Sequence, residues 1–456
     1  MSQLKDYLFY QDDHITLYHG DCLEVMRIFP ENSVDSVVTD PPYELGFMGK
    51  VWDRTGISYN VDMWKEVYRV LKPGGYLLSF GGTRTYHRMA CAIEDARFEI
   101  RDMVEWMYGS GFPKSLNIGK AIDKTNGTYI RGELSPNSRQ SGESPSGCYG
   151  IGVQTKTLPN PQSQFAKQWE GWGTALKPAH EPICMARKPL SEKTVASNVL
   201  KWGTGGINVD GCRVGYTNNG DKERALAGDA FKRKDTSDKG WSRPWMEDKD
   251  KIAEINAASK ERAQAGRFPA NLIHDGSQEV LRLFPNTKSG DLLKHYKRSG
   301  GMPPIGTFEI RDRTGEKEFI GDSGLAARFF YCAKASKSER DRGCEGMPLI
   351  ERRTHGEMNI DDGGNSHNTT GQHPAIGHNN HPTVKPIALM KYLIKLVTPP
   401  NGIILDNFMG SGSTGKAAIL EGFHFIGIDT EEKYCEISVK RLRQEVFDFR
   451  IQEARV

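Results

Sequence analysis

Short β-branched and aliphatic blocks alternate with amphipathic stretches over the first hundred residues of this 456-residue chain, an alternation that predicts a parallel sheet covered by helices on both faces. The run Ser36-Val37-Val38-Thr39 reads as a strand that stops at Asp40-Pro41-Pro42, where proline ends the ladder. Apolar spacing then predicts a helix from about Val61 to Val70, closed by a Pro73-Gly74-Gly75 turn. A strand from Tyr76 to Phe80, a helix from about Arg84 to Ala96 and a strand near Met103 to Trp106 follow. Between about Pro113 and Arg267 the periodicity fades, and the Ser/Gly/Pro/Asn-rich sequence around 126–164 and the charged stretch around 221–267 read as surface loop. Order returns with a buried-type strand from Gly402 to Asp406, a helix from Ser413 to Leu420 and a strand from Phe425 to Asp429. No internal repeat is visible.

Composition narrows this picture only modestly. Hydrophobic residues at 37% and charged residues at 26% suit a globular chain, large enough for two or three domains or for one domain with insertions. No apolar run is long enough to cross a bilayer, and the first residues do not resemble a signal peptide, so a cytoplasmic location is expected. The 8 cysteines stand singly and suggest neither a zinc ribbon nor a disulfide framework. His373, His378 and His381 have metal-like spacing, but no cysteine or carboxylate cluster completes a site, so a polar loop is expected and no metal. A net charge of +3 is too mild to decide for nucleic acid.

Two motifs carry chemistry. Towards the C-terminus, the segment Phe408-Met409-Gly410-Ser411-Gly412-Ser413-Thr414-Gly415 links a strand to a helix, and the next strand ends on Asp429. Glycines at such an exit let backbone approach a ligand, and a carboxylate closing the next strand can accept ribose hydroxyls. The glycines also satisfy a dinucleotide fingerprint, and Gly410 to Lys416 comes close to a phosphate loop. Ala417 then stands where that loop needs a hydroxyl for magnesium, which weakens the ATPase reading.

The second motif, Asp40-Pro41-Pro42-Tyr43, lies at the carboxyl end of a strand, the edge where open α/β sheets bind ligands. A capped proline turn is the bland alternative. An exocyclic amino group on a base is a poor nucleophile because its lone pair is delocalised into the ring. Hydrogen-bond acceptors that draw it towards tetrahedral geometry would activate it. Asp40 offers a carboxylate and Pro41 a carbonyl, while Tyr43 offers a ring face on which a flipped base can stack.

Together these motifs resemble the amino-methylating DNA methyltransferases, with the catalytic motif ahead of the cofactor motif as in the β group of that family. The resemblance implies a circularly permuted Rossmann-like α/β sheet that binds S-adenosylmethionine, with an inserted target-recognition region. It divides the chain into a catalytic half over 1–112, an insertion over 113–340 and a cofactor-binding half over 341–456. Asp40, Pro41, Pro42 and Tyr43 become the catalytic residues. Gly20-Asp21-Cys22 resembles a segment at the cofactor adenine, and His381-Pro382-Thr383-Val384-Lys385-Pro386 resembles the motif at its methionine end. Asp21, Cys22, Thr383, Lys385, Asp406, Phe408, Gly410, Gly412, Ser413 and Asp429 are thereby assigned to the cofactor. Asp21 alone could equally be a helix N-cap.

The middle segment interleaves aromatic and basic side chains, as in Ser110 to Ser115, Arg328 to Lys334 and Lys337 to Arg342, which suit contacts to phosphates and bases. Trp172, Trp202, Trp241 and Trp245 could stack on bases or simply pack. Duplex DNA is the expected partner, and the resemblance leaves room for a homodimer and a cognate restriction endonuclease. No Pro-Cys dipeptide supports a cytosine-C5 mechanism. Related RNA and protein-glutamine methyltransferases typically begin the motif with asparagine, and relatives with aspartate there mostly methylate adenine N6, those with serine cytosine N4. The expectation is therefore an adenine-N6 DNA methyltransferase, with cytosine N4 as its nearest alternative.

Overall fold

A computed structural model describes residues 2–45, 51–111, 115–129, 162–216, 221–223, 249–288, 292–293, 317–319, 323–333, 338–345, 347–348, 350–352, 358–360, 366–368, 375–379, 381 and 384–453. The chain divides into two compact units, one of residues 1–109, 180–347 and 381–456, the other of 110–179 and 348–380.

The first unit is built on a ten-stranded sheet. Its strands in chain order are β1 (Leu8–Gln11), β2 (Ile15–His19), β3 (Val34–Thr39), β4 (Leu71–Phe80), β5 (Glu99–Met107), β6 (His180–Arg187), β7 (Leu272–His274), β8 (Tyr331–Cys332), β9 (Ile403–Asp406) and β10 (His424–Asp429). Across the sheet they lie in the order β1-β2-β10-β9-β3-β4-β6-β5-β7-β8. The five strands from β2 to β4 run parallel, and β6 runs antiparallel between β4 and β5. The two C-terminal strands thus fill the gap between the N-terminal β2 and β3, which is the expected circular permutation of a Rossmann-like sheet.

Alternation along the strands explains why helices cover both faces. Val37, Leu77 and Leu405 point into one core with α1 (Cys22–Ile28), α2 (Val61–Val70) and α3 (Tyr86–Asp95). Their neighbours Val38, Leu78 and Ile404 point into the other, with α4 (Ile387–Val397), α5 (Ser413–Leu420) and α6 (Glu432–Glu453). A strand buried on both faces has no polar side, so it reads in sequence as a continuous apolar run.

The structure departs from the sequence reading in three places. Pro73-Gly74-Gly75 is a bulge inside β4, where the pairing of β3 jumps from Val34–Leu71 to Ser36–Tyr76. Gly74, at φ +81°, donates its N–H to Lys188 O at 3.0 Å, while Asn198 and Thr204 donate to Pro73 O. Lys249–Gln264, in a stretch read as loop, is a helix. Finally, β6, β7 and β8 lie within 113–340 yet belong to the main sheet, so that segment is not one body inserted apart from it.

The second unit contains the helices Ile118–Thr125 and Gln164–Gln168 and the strand pairs Ile350–Arg352 with Ala375–Gly377 and Met358–Ile360 with Ser366–Asn368. Buried Asp123 accepts hydrogen bonds from Thr128 Oγ1, Gln162 N and Ser163 N, tying its two helical segments together. Trp169 and Trp172 pack edge to face at 5.2 Å.

Candidate active site

Parallel pairing brings the ends of β3, β4, β9 and β10 to one edge of the sheet. From β9 the chain crosses to α5 on one face, and from β3 it leads to α2 on the other. Loops diverging in this way open a crevice between the two strands, the usual ligand site of an open α/β sheet. Asp40 to Tyr43 leaves β3 at this crevice, and Phe408 to Gly412 leaves β9.

On the β3 side, Asp40 is a pair partner before it is anything else. Lys385 Nζ lies 2.6 Å from Asp40 Oδ2, 3.1 Å from Tyr43 Oη and 3.3 Å from Glu181 Oε2. Tyr43 Oη donates onward to Glu181 Oε2 at 3.2 Å. Asp40 Oδ1 is buried and meets no hydrogen-bond partner among the described residues. Burial draws the Lys385 pKa down, but the charges of Asp40 and Glu181 outweigh it and hold the ammonium above the ordinary lysine range. Burial raises the Tyr43 phenol well above its usual value, and the same two carboxylates add to the rise. Lys385 also sits over the rings of Phe80 and Tyr43, at 4.8 and 5.4 Å. Pro41 is buried and Pro42 half-buried. Lys385, assigned in sequence to the cofactor, is thus engaged with the Asp40 motif.

Glycine conformation shapes the β9 side. Gly410 and Gly412 have φ of +54° and +74°, and Gly412 caps α5. A Cβ on Gly410 would stand 2.6 Å from His381 Nε2, and one on Gly412 2.9 Å from Ser438 Oγ. These glycines are therefore required by the loop and its protein neighbours, beyond any need to admit a ligand. Arg441, wholly buried on α6, bonds Ser411 Oγ at 2.8 Å and Ser413 Oγ at 3.4 Å and so fixes the loop from below. Phe408 is half-buried against the core that holds α1 and α2.

The acids here differ in their work. Asp406 is buried, with Thr39, Thr414 and the Phe408 N–H all donating to it at 2.6–3.1 Å, and burial pushes its pKa up to about 6. It welds β3, β9 and α5 together at the crevice floor. Asp429 accepts from Gly410 N and Glu431 N, each at 2.8 Å, and burial pushes it up to about 7. Each of its oxygens keeps a second acceptor position. Asp21 caps α1, accepting from Leu23 N and Glu24 N, so the bland reading of that residue describes its observed bonds. Beside it Cys22 is buried, which raises its thiol to about 12. Thr383, His373, Trp241 and Trp245 lie outside the described residues. In the Arg328 to Lys334 stretch, Arg328 lies over Phe329 at 4.2 Å and Tyr331 stacks on Tyr392 at 4.1 Å, so these groups pack internally.

A family model described as DNA methylase, of the N6/N4 type, matches residues 34–440, from β3 through the glycine loop into α6. The chain belongs to that family. This bears out the resemblance drawn from the two motifs. Among curated relatives of the methylase, the DNA adenine methyltransferase YhdJ of Escherichia coli K12 is 45% identical over 65 residues, 14% of this chain and 22% of its own length. The type II methyltransferase M.HinfI of Haemophilus influenzae is 41% identical over 68 residues, 15% and 19% of the two chains. The matched stretches thus span about a fifth of these relatives. Solved structures similar to it include the M1.HpyAVI complex with S-adenosylmethionine, 15% identical with a TM-score of 0.36 over 94% of this chain and 98% of the other. The cytosine-N4-specific PvuII methyltransferase is 14% identical with a TM-score of 0.40, over 95% and 87%.

Sequence reasoning missed Glu181, Arg441 and Thr39. Glu181 sits on β6 without a motif around it, and only the sheet order brings it to Lys385.

Proposed function

We propose that this protein transfers a methyl group from S-adenosylmethionine to an exocyclic amino group of duplex DNA, the N6 nitrogen of adenine. The observation that carries this reading is Asp40 Oδ1, a buried carboxylate oxygen without a hydrogen-bond partner among the described residues, at the mouth of the crevice. A buried acceptor of this kind is costly unless a ligand donor satisfies it. An amino group hydrogen-bonded there has its nitrogen drawn out of conjugation, and the carboxylate stabilises the positive charge that develops on it during transfer. Tyr43 offers its ring to the base.

The residues of the β9 loop fit the cofactor. Gly410 and Gly412 keep bare backbone at the crevice, and Asn407 Oδ1 is a buried acceptor without a partner among the described residues. Asp429, Phe408, Ser413 and Asp21 are the side chains assigned to hold it. When bound, S-adenosylmethionine supplies the electrophilic methyl group. Target recognition is assigned to parts of 113–340 outside the sheet, where Phe165 and Trp172 are about 60% exposed and can meet bases or sugars.

Adenine over cytosine rests on aspartate at the first motif position. The relative named as a DNA adenine methyltransferase agrees with it over its short match. Incubation with methyl-labelled S-adenosylmethionine and separate DNA, RNA and protein substrates tests the class, and mass spectrometry of nucleosides from the DNA tests the atom. N6-methyladenine is expected. N4-methylcytosine alone would move the target while keeping the class, and label in RNA or protein but not DNA would overturn the reading.

A further inference from the structure

Lys385 has two carboxylates to answer to, and only one belongs to the DNA methylase motif. Glu181 reaches the cluster from β6, the antiparallel strand, with its side chain 19% exposed, against 9% for Lys385 and 20% for Asp40. Its Oε2 takes both Tyr43 Oη at 3.2 Å and the Lys385 ammonium at 3.3 Å, while Lys385 also donates to Tyr43 Oη at 3.1 Å. The three groups close a ring, and the 2.6 Å contact from Lys385 to Asp40 Oδ2 ties that ring to the motif's carboxylate. We propose that Glu181 is a positioning residue of methyl transfer: by sharing the Lys385 ammonium with Asp40 it pins that ammonium on Oδ2 and leaves Oδ1 as the acceptor for the substrate's amino group.

This inference rests on the proposed reaction, and charge counting explains why a second acid is useful. Asp40 and Lys385 alone would form a neutral pair, a poor host for positive charge appearing on a base nitrogen. Adding Glu181 makes the cluster net negative, which favours that charge in a site shielded from water. Geometry gains as well, because a lysine with four flexible torsions is held from two sides.

The groups facing Lys385 are Asp40 and Tyr43 after β3, Glu181 on β6 and the Phe80 ring at the end of β4; Tyr108 leans on Glu181, and Asp406 lies beyond Asp40. Removing the Glu181 charge leaves Lys385 one carboxylate against the same burial. Its proton must then leave at lower pH, and Asp40 loses its clamp there.

The test is Glu181→Gln in the full chain, which keeps size and an acceptor for Tyr43 but removes the charge. Single-turnover methyl transfer to DNA should slow at least about tenfold at pH 8, with cofactor and DNA affinity within about twofold of wild type, and the alkaline limb of the rate should move to lower pH. In a Lys385→Met background the same substitution should add no further pH shift, since the route through Lys385 is gone. Nuclear magnetic resonance of 13Cε-lysine, which needs no activity, should show Lys385 titrating at lower pH in Glu181→Gln. An unmoved Lys385 titration, or a wild-type rate and pH profile, would overturn the proposal. If Glu181→Gln does not fold, Glu181→Asp serves in its place: the shorter acid cannot reach both partners, so it too should slow transfer, and a wild-type rate there would overturn the proposal. A wild-type protein that methylates no DNA would instead overturn the reaction assigned above, while the lysine titration still decides the role of Glu181.

Discussion

Asp429 closes β10 with both oxygens on backbone N–H groups, and burial nevertheless pushes its pKa from 3.8 up to about 7. Between about pH 4 and 7 the folded state therefore holds a proton that the unfolded state has released, and stability attributable to this group falls as pH rises through that window. Asp429→Asn should give a shallower decline of Tm between pH 4.5 and 7.5 than wild type, by differential scanning calorimetry; equal slopes would show that the carboxylate is already ionised across the range. Asp40→Ala should keep DNA affinity by fluorescence anisotropy yet lose methyl transfer by about a hundredfold or more. An unchanged rate would remove Asp40 from the chemistry. Gly410→Val meets both a left-handed φ and His381, so calorimetry should show lost cofactor binding together with a lowered Tm. The place of Asp40 at the end of a strand was legible in the sequence because Pro-Pro-Tyr follows it after a β run. Glu181 was not, because an isolated acid on a strand carries no spacing to read.

At the scale of elements, legibility followed burial symmetry. The helix at Val61–Val70 and the helix at Ser413–Leu420 were legible in outline from the sequence pattern. The strand β6, His-Glu-Pro-Ile-Cys-Met-Ala-Arg, neither alternates nor stands apart from polar sequence, and its place between β4 and β5 is a fact of tertiary pairing. Pro73-Gly74-Gly75 misled for a physical reason: a proline followed by a left-handed glycine suits a chain-reversing turn after a helix and a bulge within a strand alike. The bulge is closely packed, with a Cβ on Gly74 falling 2.4 Å from Asn198 Nδ2 at φ +81°. Gly74→Ala should therefore destabilise the protein by about 1–3 kcal/mol in urea titration. A cost near zero would mean that β4 bends freely there.

For the whole molecule, the division of the chain matters more than its length. A chain without 113–340 loses β6, β7 and β8 and with them the neighbour of β4 and the carboxylate of Glu181. It should show no cooperative melt by circular dichroism; a cooperative, cofactor-binding product would show that the segment is separable after all. DNA affinity of the intact protein should fall with salt at a log–log slope of about −0.9 per phosphate neutralised, and a flat dependence would argue against a duplex substrate.

The interleaving of strands also sets a timetable for biosynthesis. Thr39 finds Asp406 across 367 residues of chain, and β9 and β10 are the strands that separate β2 from β3. At ribosomal speeds of about 5–20 residues per second, the nascent chain carries β2 and β3 with facing edges unfilled for roughly 20 to 70 seconds before their partners emerge. Unpaired edges of that kind recruit other chains. Expression yield should therefore depend on chaperone supply and growth temperature more than the stability of the finished sheet would suggest.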